Sequence, residues 1–299
     1  MNEMPFKTLW VIGAGTMGSQ ISLQSAAHGY GVYLIDTDEA ALARAGRLQD
    51  VELQGRVTNG NLTLEGTGSI KNRIHPAADM ENLPAPGLVI EAVVENLGVK
   101  RDVFARLDTL CPPDTILATN SSSIKVSAIE SATRRPDKVL NLHFYNPVWQ
   151  RPLVELMRGT ATSDETIETA RRFACSIGVT PLMVLRESTG FLFNRVWRAI
   201  KRECLHLVND GVATFEDVDR AWMIAFGQPM GPFAIMDRIG LDVVRDIEMT
   251  YYRESGNPSD APPKMLLDKI EKGELGVKTG KGFYTYPHPA FEDPDWLKG

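Results

Sequence analysis

The sequence predicts an α/β chain in which a doubly wound, mostly parallel sheet is followed by a smaller all-helical domain. Two observations predict it. Up to about residue 187, short β-rich runs alternate with helical stretches; beyond it the pattern is helical. With 299 residues, the chain is long enough for one large domain or two ordinary ones. The change of texture favours two, spanning residues 1–186 and 187–285, with a tail over 286–299.

In chain order, β-rich runs are predicted at residues 9–12, 32–35, 88–94, 115–119, 139–144 and 181–185, with a further strand-like run at 153–156. A helix over 19–28 follows the first run. In the second part, Phe191, Val196, Ile200, Cys204 and Val208 recur at spacings of four or five and mark a face fit for burial. Further helices are predicted at 214–226, where Thr214 can cap, and at 241–252 and 263–272. The tail carries Pro287, Pro289 and Pro294 and is expected to be an extended strap.

Composition removes several classes of function. At 43% hydrophobic and 23% charged residues, the chain is an ordinary globular protein. A net charge of −6 argues against a general affinity for nucleic acid or an anionic membrane, leaving a small-molecule or protein partner. Cys111, Cys175 and Cys204 are too scattered for a metal knuckle or a bridge framework, so no metal is expected and reduced thiols are. Residues 1–7 lack the features of a signal peptide, and no run approaches the ~18 apolar residues of a membrane span, so a soluble, cytoplasmic protein is expected.

The first motif runs from the strand 9–12 into Gly13-Ala14-Gly15-Thr16-Met17-Gly18 and then into a helix. Gly13 permits a tight turn, Gly15 lets backbone approach a pyrophosphate, and Gly18 allows close helix–strand packing. Free N–H groups at the helix start, around Thr16 and Met17, would face the phosphates. Asp36 ends the second run 18 residues past Gly18, near the spacing for a carboxylate that binds a ribose 2′-hydroxyl. Its charge would repel a 2′-phosphate and no arginine follows it directly, so NAD is favoured over NADP. This is the fingerprint of a Rossmann-type domain.

Of five histidines, His28, His75, His206 and His288 lie at a helix end, before a proline, in a polar helical stretch and in the tail. His143 differs, because it closes an apolar strand and opens His143-Phe144-Tyr145-Asn146-Pro147-Val148, at a strand end where sites in open α/β sheets gather. Oxidation of an alcohol by hydride transfer needs a base for the hydroxyl proton, and imidazole suits that role. Glu155 is the one charge within the apolar run 153–156, where a carboxylate needs a partner such as an imidazole. A core histidine in a structural salt bridge is the other reading of these two residues.

With these residues in place, the sequence resembles the 3-hydroxyacyl-CoA dehydrogenase family over nearly its whole length. The resemblance is carried by residues 11–18, 90–96 (Ile-Glu-Ala-Val-Val-Glu-Asn), 120–123 (Asn-Ser-Ser-Ser), 143–148, 190–195 (Gly-Phe-Leu-Phe-Asn-Arg), 229–233 (Pro-Met-Gly-Pro-Phe) and 278–284 (Lys-Thr-Gly-Lys-Gly-Phe-Tyr). It implies that His143 is the general base for the 3-hydroxyl proton and Glu155 its orienting partner. It implies that Ser122 and Asn194 bind the reacting oxygen or its neighbouring carbonyl, with the site lying between the domains. On the cofactor side it matches Asp36 to the ribose ligand, and Glu95, Lys100, Asn146 and Lys278, with Ser122, to the nicotinamide half or its phosphates. A homodimer is implied too, in keeping with the apolar faces of the second domain.

One stretch departs from the family pattern. Between Asp36 and Ile70 there are six acids and three arginines, interrupted by Gly60, Gly66 and Gly68, where family members acting on coenzyme A esters carry a lysine-rich helical excursion. A polyanionic ligand gains little there. Trp149 and Arg151, between base and partner, suggest a narrowed pocket and a guanidinium for a substrate carboxylate. Three functions therefore stay open: an L-3-hydroxyacyl-CoA dehydrogenase of short chain length; a dehydrogenase of a free 3-hydroxy acid or polar alcohol, as in the carnitine and gulonate dehydrogenases of the superfamily; and a non-catalytic dinucleotide-binding protein like its lens crystallins. The joint presence of Ser122, His143, Glu155 and Asn194 disfavours the third.

Overall fold

The computed structural model describes residues 4–299, so the first three residues of the polar stretch 1–7 lie outside the described residues. Two compact units are present, one ending at Leu192 and the other beginning at Phe193. The division falls later than the change of sequence texture because Phe191, the start of the helical pattern, is buried in the first unit's core.

The first unit is an eight-stranded sheet of β1 (Thr8–Ile12), β2 (Gly31–Ile35), β3 (Ile74–Ala77), β4 (Leu88–Glu91), β5 (Ile116–Thr119), β6 (Val139–Phe144), β7 (Leu153–Arg158) and β8 (Thr180–Val184). Their order is β3-β2-β1-β4-β5-β6-β7-β8, and neighbours run parallel except β6 and β7. The order reverses beside β1, which makes the β1/β4 crevice the switch point where a ligand is expected. The edge strand β3 is absent from the sequence prediction. Its Ile-His-Pro-Ala lacks alternation, and Pro76 is tolerated because an edge leaves one side of the strand unpaired.

Side-chain alternation divides the interior into two layers. Leu9, Val11, Val32, Leu34, Leu88, Ile90, Leu140 and Leu142 pack with α1 (Thr16–Ala27), α2 (Glu39–Thr58) and α5 (Asp164–Ser176). Trp10, Ile12, Val89, Leu117 and Val139 face the other way, toward Phe104 and Leu107 of α4 (Leu97–Leu110). Helices thus cover both faces, as a parallel sheet requires.

The stretch after Asp36 is more helical than its glycines suggest. Asp38 caps α2, accepting from the Ala40 amide, and the helix runs 20 residues before Gly60, at φ +72°, lets the chain turn. Thr63 then caps α3 (Leu64–Lys71), which contains Gly66 and Gly68 without breaking. A helical excursion is present, and what distinguishes it is its charge.

The second unit contains α6 (Phe193–Asn209), α7 (Phe215–Phe226), α8 (Pro232–Ile239), α9 (Leu241–Ser255) and α10 (Lys264–Glu271). Two buried aspartates organise it. Asp219 accepts from the Phe233 and Ala234 amides at 2.8 and 3.0 Å, capping α8, while Asp237 accepts from the Phe283 and Tyr284 amides, both at 2.9 Å. A Cβ on Gly231 or Gly282 would overlap those carboxyl groups, which accounts for both glycine motifs. Burial outweighs these donors and pushes the Asp219 carboxyl up to about 6. The tail is no extended strap. It forms short turns at Ala290–Glu292 and Trp296–Lys298, and Phe291 and Trp296 join the helical core because burying two aromatic rings outweighs what the prolines favour.

Candidate active site

The strands place a polar row on the face of the sheet that also carries Trp10 and Val89. Glu91 is in register with Thr119, Thr119 with Asn141, and His143 with Glu155. All five are buried at positions where alternation would otherwise put apolar residues, so each needs a partner.

His143 and Glu155 satisfy each other. Nδ1 of His143 lies 2.8 Å from Oε2 of Glu155, which is 0% exposed. A carboxylate only accepts, so Nδ1 carries the hydrogen and Nε2 keeps its lone pair for a substrate proton. The other carboxylate oxygen accepts from the Leu192 amide at 2.9 Å. Rings of Tyr145 and Phe191 flank the imidazole at 4.8 and 5.2 Å. Burial and the charge of Glu155 push the Tyr145 phenol above its ordinary range, so it stays protonated and offers no rival base.

A second network fixes the serine loop. Lys100, 1% exposed, places its ammonium 2.7 Å from Glu91 Oε1 and 3.2 Å from Glu95 Oε2. Glu91 also accepts from the Thr119 hydroxyl and the Val93 amide. Glu95 Oε1 accepts from the Ser121 hydroxyl at 2.5 Å, the Ser123 hydroxyl at 2.7 Å and the Ser123 amide at 3.0 Å. Burial would raise Glu95, but these serines and Lys100 hold its carboxyl below the usual range. Asn141 donates to Ser121 O, and the Phe144 amide donates to Asn120, so the loop is tied to the strand that carries His143. Ser122, between the two bound serines, is exposed, and among the described residues its hydroxyl has no partner. Lys100, expected on the cofactor side, is turned inward here and pairs with Glu91 and Glu95, so its reach toward that side runs through Glu95.

The dinucleotide loop fits its expected group. Gly13 sits at φ +101°, where a Cβ would meet Ala92 O, and a Cβ on Gly18 would overlap Gly13 O. Gly15 faces open space and gives α1 no side-chain cap, leaving the first amides, around Thr16 and Met17, for an anion. Asp36 Oδ2 accepts from the Ala14 amide at 2.7 Å and Oδ1 from the Asp38 amide at 2.9 Å, which aims the carboxylate beside the loop with lone pairs to spare. A cavity of about 670 Å³ lined by Gly13, Gly15, Asp36, Met80 and Val93 adjoins it.

The remaining candidates are dispersed. Asn146 accepts from the Gln20 side chain of α1 at 2.8 Å, and Gln20 in turn accepts from the Val148 amide, pinning the loop that follows His143. Trp149 packs on the first layer beneath the Arg56 guanidinium, 5.4 Å from its ring, so that face is already occupied. Arg151 is exposed, and among the described residues its guanidinium has no partner. Asn194 and Lys278 belong to the second unit, where Lys278 pairs with Asp242. Glu91, Asn141, Tyr145 and Phe191 were not among the site residues expected from the sequence. For the first two a signal existed: a polar residue at the inward position of an apolar strand.

Comparison with known proteins agrees with this arrangement. The family model for the NAD binding domain of 3-hydroxyacyl-CoA dehydrogenase matches residues 8–188, and that for its C-terminal domain matches 190–286. The 3-hydroxybutyryl-CoA dehydrogenase of Clostridioides difficile is 40% identical over 278 residues, covering 93% of this chain and 99% of that protein. The crystal structure of (S)-3-hydroxybutyryl-CoA dehydrogenase from Ralstonia eutropha is similar with a TM-score of 0.88 at 31% identity, over 95% of this chain and 100% of that one. A diketoreductase structure is also similar, with a TM-score of 0.82 at 34% identity, over 94% and 99% of the two chains. With its dinucleotide loop, its buried histidine–glutamate pair and both family domains, this chain belongs to the NAD-dependent 3-hydroxyacyl-CoA dehydrogenases.

Proposed function

We propose that the protein transfers a hydride between the C3 hydroxyl carbon of a short-chain L-3-hydroxyacyl-CoA and NAD. The observation that carries this reading is the buried His143–Glu155 pair at the carboxyl edge of a sheet whose first turn fits a dinucleotide. NAD, when bound, supplies the hydride acceptor. His143 Nε2 takes the hydroxyl proton, and Glu155 keeps the imidazole in its reactive tautomer and stabilises the imidazolium that forms. Ser122 and Asn194 donate to the reacting oxygen or its neighbouring carbonyl. Asp36 binds the adenosine ribose, the Gly13–Gly18 turn receives the pyrophosphate, and Glu95, Asn146 and Lys278 serve the nicotinamide half. Replacing Asp36 by alanine is expected to relax the preference for NAD over NADP, measured as the ratio of kcat/KM for the two; an unchanged ratio contradicts its ribose role.

Consumption of NADH with acetoacetyl-CoA at an ordinary enzyme rate is the direct test. A second reading, a free 3-hydroxy acid or dicarbonyl compound, is favoured by Arg151, whose guanidinium has no partner among the described residues, and by α2 and α3, where Arg44 pairs with Asp38 and Lys71 with Asp50. Inactivity with acetoacetyl-CoA together with turnover of a free 3-hydroxy acid would select it.

A cytoplasmic homodimer completes the proposal. No helix of the described residues is long and apolar enough to cross a membrane, and the second unit exposes Val196, Val212, Ile224, Phe226 and Val243. Light scattering is expected to give twice the monomer mass; a monomer at working concentration rules the dimer out.

A further inference from the structure

Phe191 is a bulky residue at φ +51°, directly after Gly190 at φ +73°. A left-handed backbone is rare for such a residue and persists only where its surroundings over-determine it. Here three contacts do so. The Phe191 amide donates to Ser188 O at 3.0 Å, its ring is 2% exposed and meets the His143 imidazole edge-on at 5.2 Å and 71°, and the next amide, Leu192 N, donates to Glu155 Oε1 at 2.9 Å.

These contacts bear on the carboxylate that orients the base. Glu155 meets His143 with one oxygen and the Leu192 amide with the other, so the amide helps to stop the carboxylate from turning about its terminal torsion. Withdrawal of that amide would remove one of the contacts that hold the carboxylate against Nδ1 and so loosen the fixed tautomer of the imidazole. The direction of the Leu192 N–H depends on the backbone of Phe191, and the ring of Phe191 limits sideways motion of the imidazole.

We propose that Phe191 is a positioning residue for the base: its left-handed backbone aims the Leu192 amide at Glu155, and its ring holds the imidazole of His143 from the side. This rests on the reading of His143 as the base. It requires no contact between Phe191 and substrate or cofactor. Its signature is a loss of kcat with KM and NAD affinity retained, because a small misplacement of reacting groups costs rate rather than binding.

The test compares three substitutions in the full chain. F191Y keeps both ring and backbone and is expected to retain wild-type kcat. F191G accepts the positive φ but removes the ring, and kcat is expected to fall about tenfold. F191V keeps apolar bulk, but its branched Cβ opposes the left-handed region, so kcat is expected to fall further still. In parallel, the low-field proton resonance of an imidazole N–H bonded to a carboxylate is expected to be sharp in the wild type and F191Y and broadened in F191V. Should F191V not fold, F191G and F191Y carry the test. Wild-type kcat and resonance in F191G and F191V would overturn the proposal while H143A keeps its about hundredfold loss of turnover. Full turnover by H143A would instead overturn the reading of the base on which it rests.

Discussion

Replacing His143 by alanine is expected to lower turnover by about a hundredfold or more while leaving NAD affinity unchanged. The size of the effect follows from the role. A positioned base removes the hydroxyl proton as the hydride leaves, and no neighbour stands in its place: Tyr145 is held protonated by burial and by Glu155, and Glu155 lies fully buried behind the imidazole, where it also accepts from Leu192. The selectivity follows from the fold. The dinucleotide loop hangs on β1 and α1 and gains nothing from the histidine, so titration with NADH is expected to match the wild type. Unchanged turnover would remove His143 from the mechanism, and a loss of NADH affinity equal to the loss of rate would make it a structural residue.

Replacing Lys100 by methionine is expected to destabilise the protein by about 3–5 kcal/mol, read from urea unfolding, because it leaves the Glu91 carboxylate buried without its cation. A typical domain has only about 5–15 kcal/mol of stability, so this is a large fraction. The Thr119 hydroxyl and the Val93 amide remain as donors, but neither carries a charge. A second change, Glu91→Leu, is expected to restore only part of the stability: it removes the unpaired carboxylate but leaves the Thr119 hydroxyl and the Val93 amide without their acceptor. It is not expected to restore activity, because Glu95 would still lack the ammonium that helps it hold Ser121 and Ser123. Wild-type stability in the methionine variant would show that the buried pair is not needed.

Much of this was legible in the sequence because the relevant signals are local. The strand–glycine–helix motif, Asp36 at its spacing, and the capping residue Thr214 each lie within one or two elements, and their physics acts over a few residues. The pairing of His143 with Glu155 was legible for a related reason: two polar residues in adjoining apolar runs had few alternatives to each other. The inward turn of Lys100 beneath β4 was not legible, because nothing adjacent in sequence shows which face of α4 it occupies. The packing of Trp149 beneath Arg56 was likewise hidden, since Arg56 lies in a helix distant in sequence.

What the sequence by itself determined is the architecture, the family and the chemical identity of the groups, because periodicity, glycine placement and residue type survive without coordinates. The register of β4, β5, β6 and β7, which turns Glu91, Thr119, Asn141, His143 and Glu155 into one polar row, was decided only by the tertiary structure. So was the inward path of Lys100 and the aim of the Leu192 amide. These depend on side-chain direction and on contacts between residues far apart in the chain, and one conformational choice at Phe191 redirects a hydrogen bond that no spacing rule encodes.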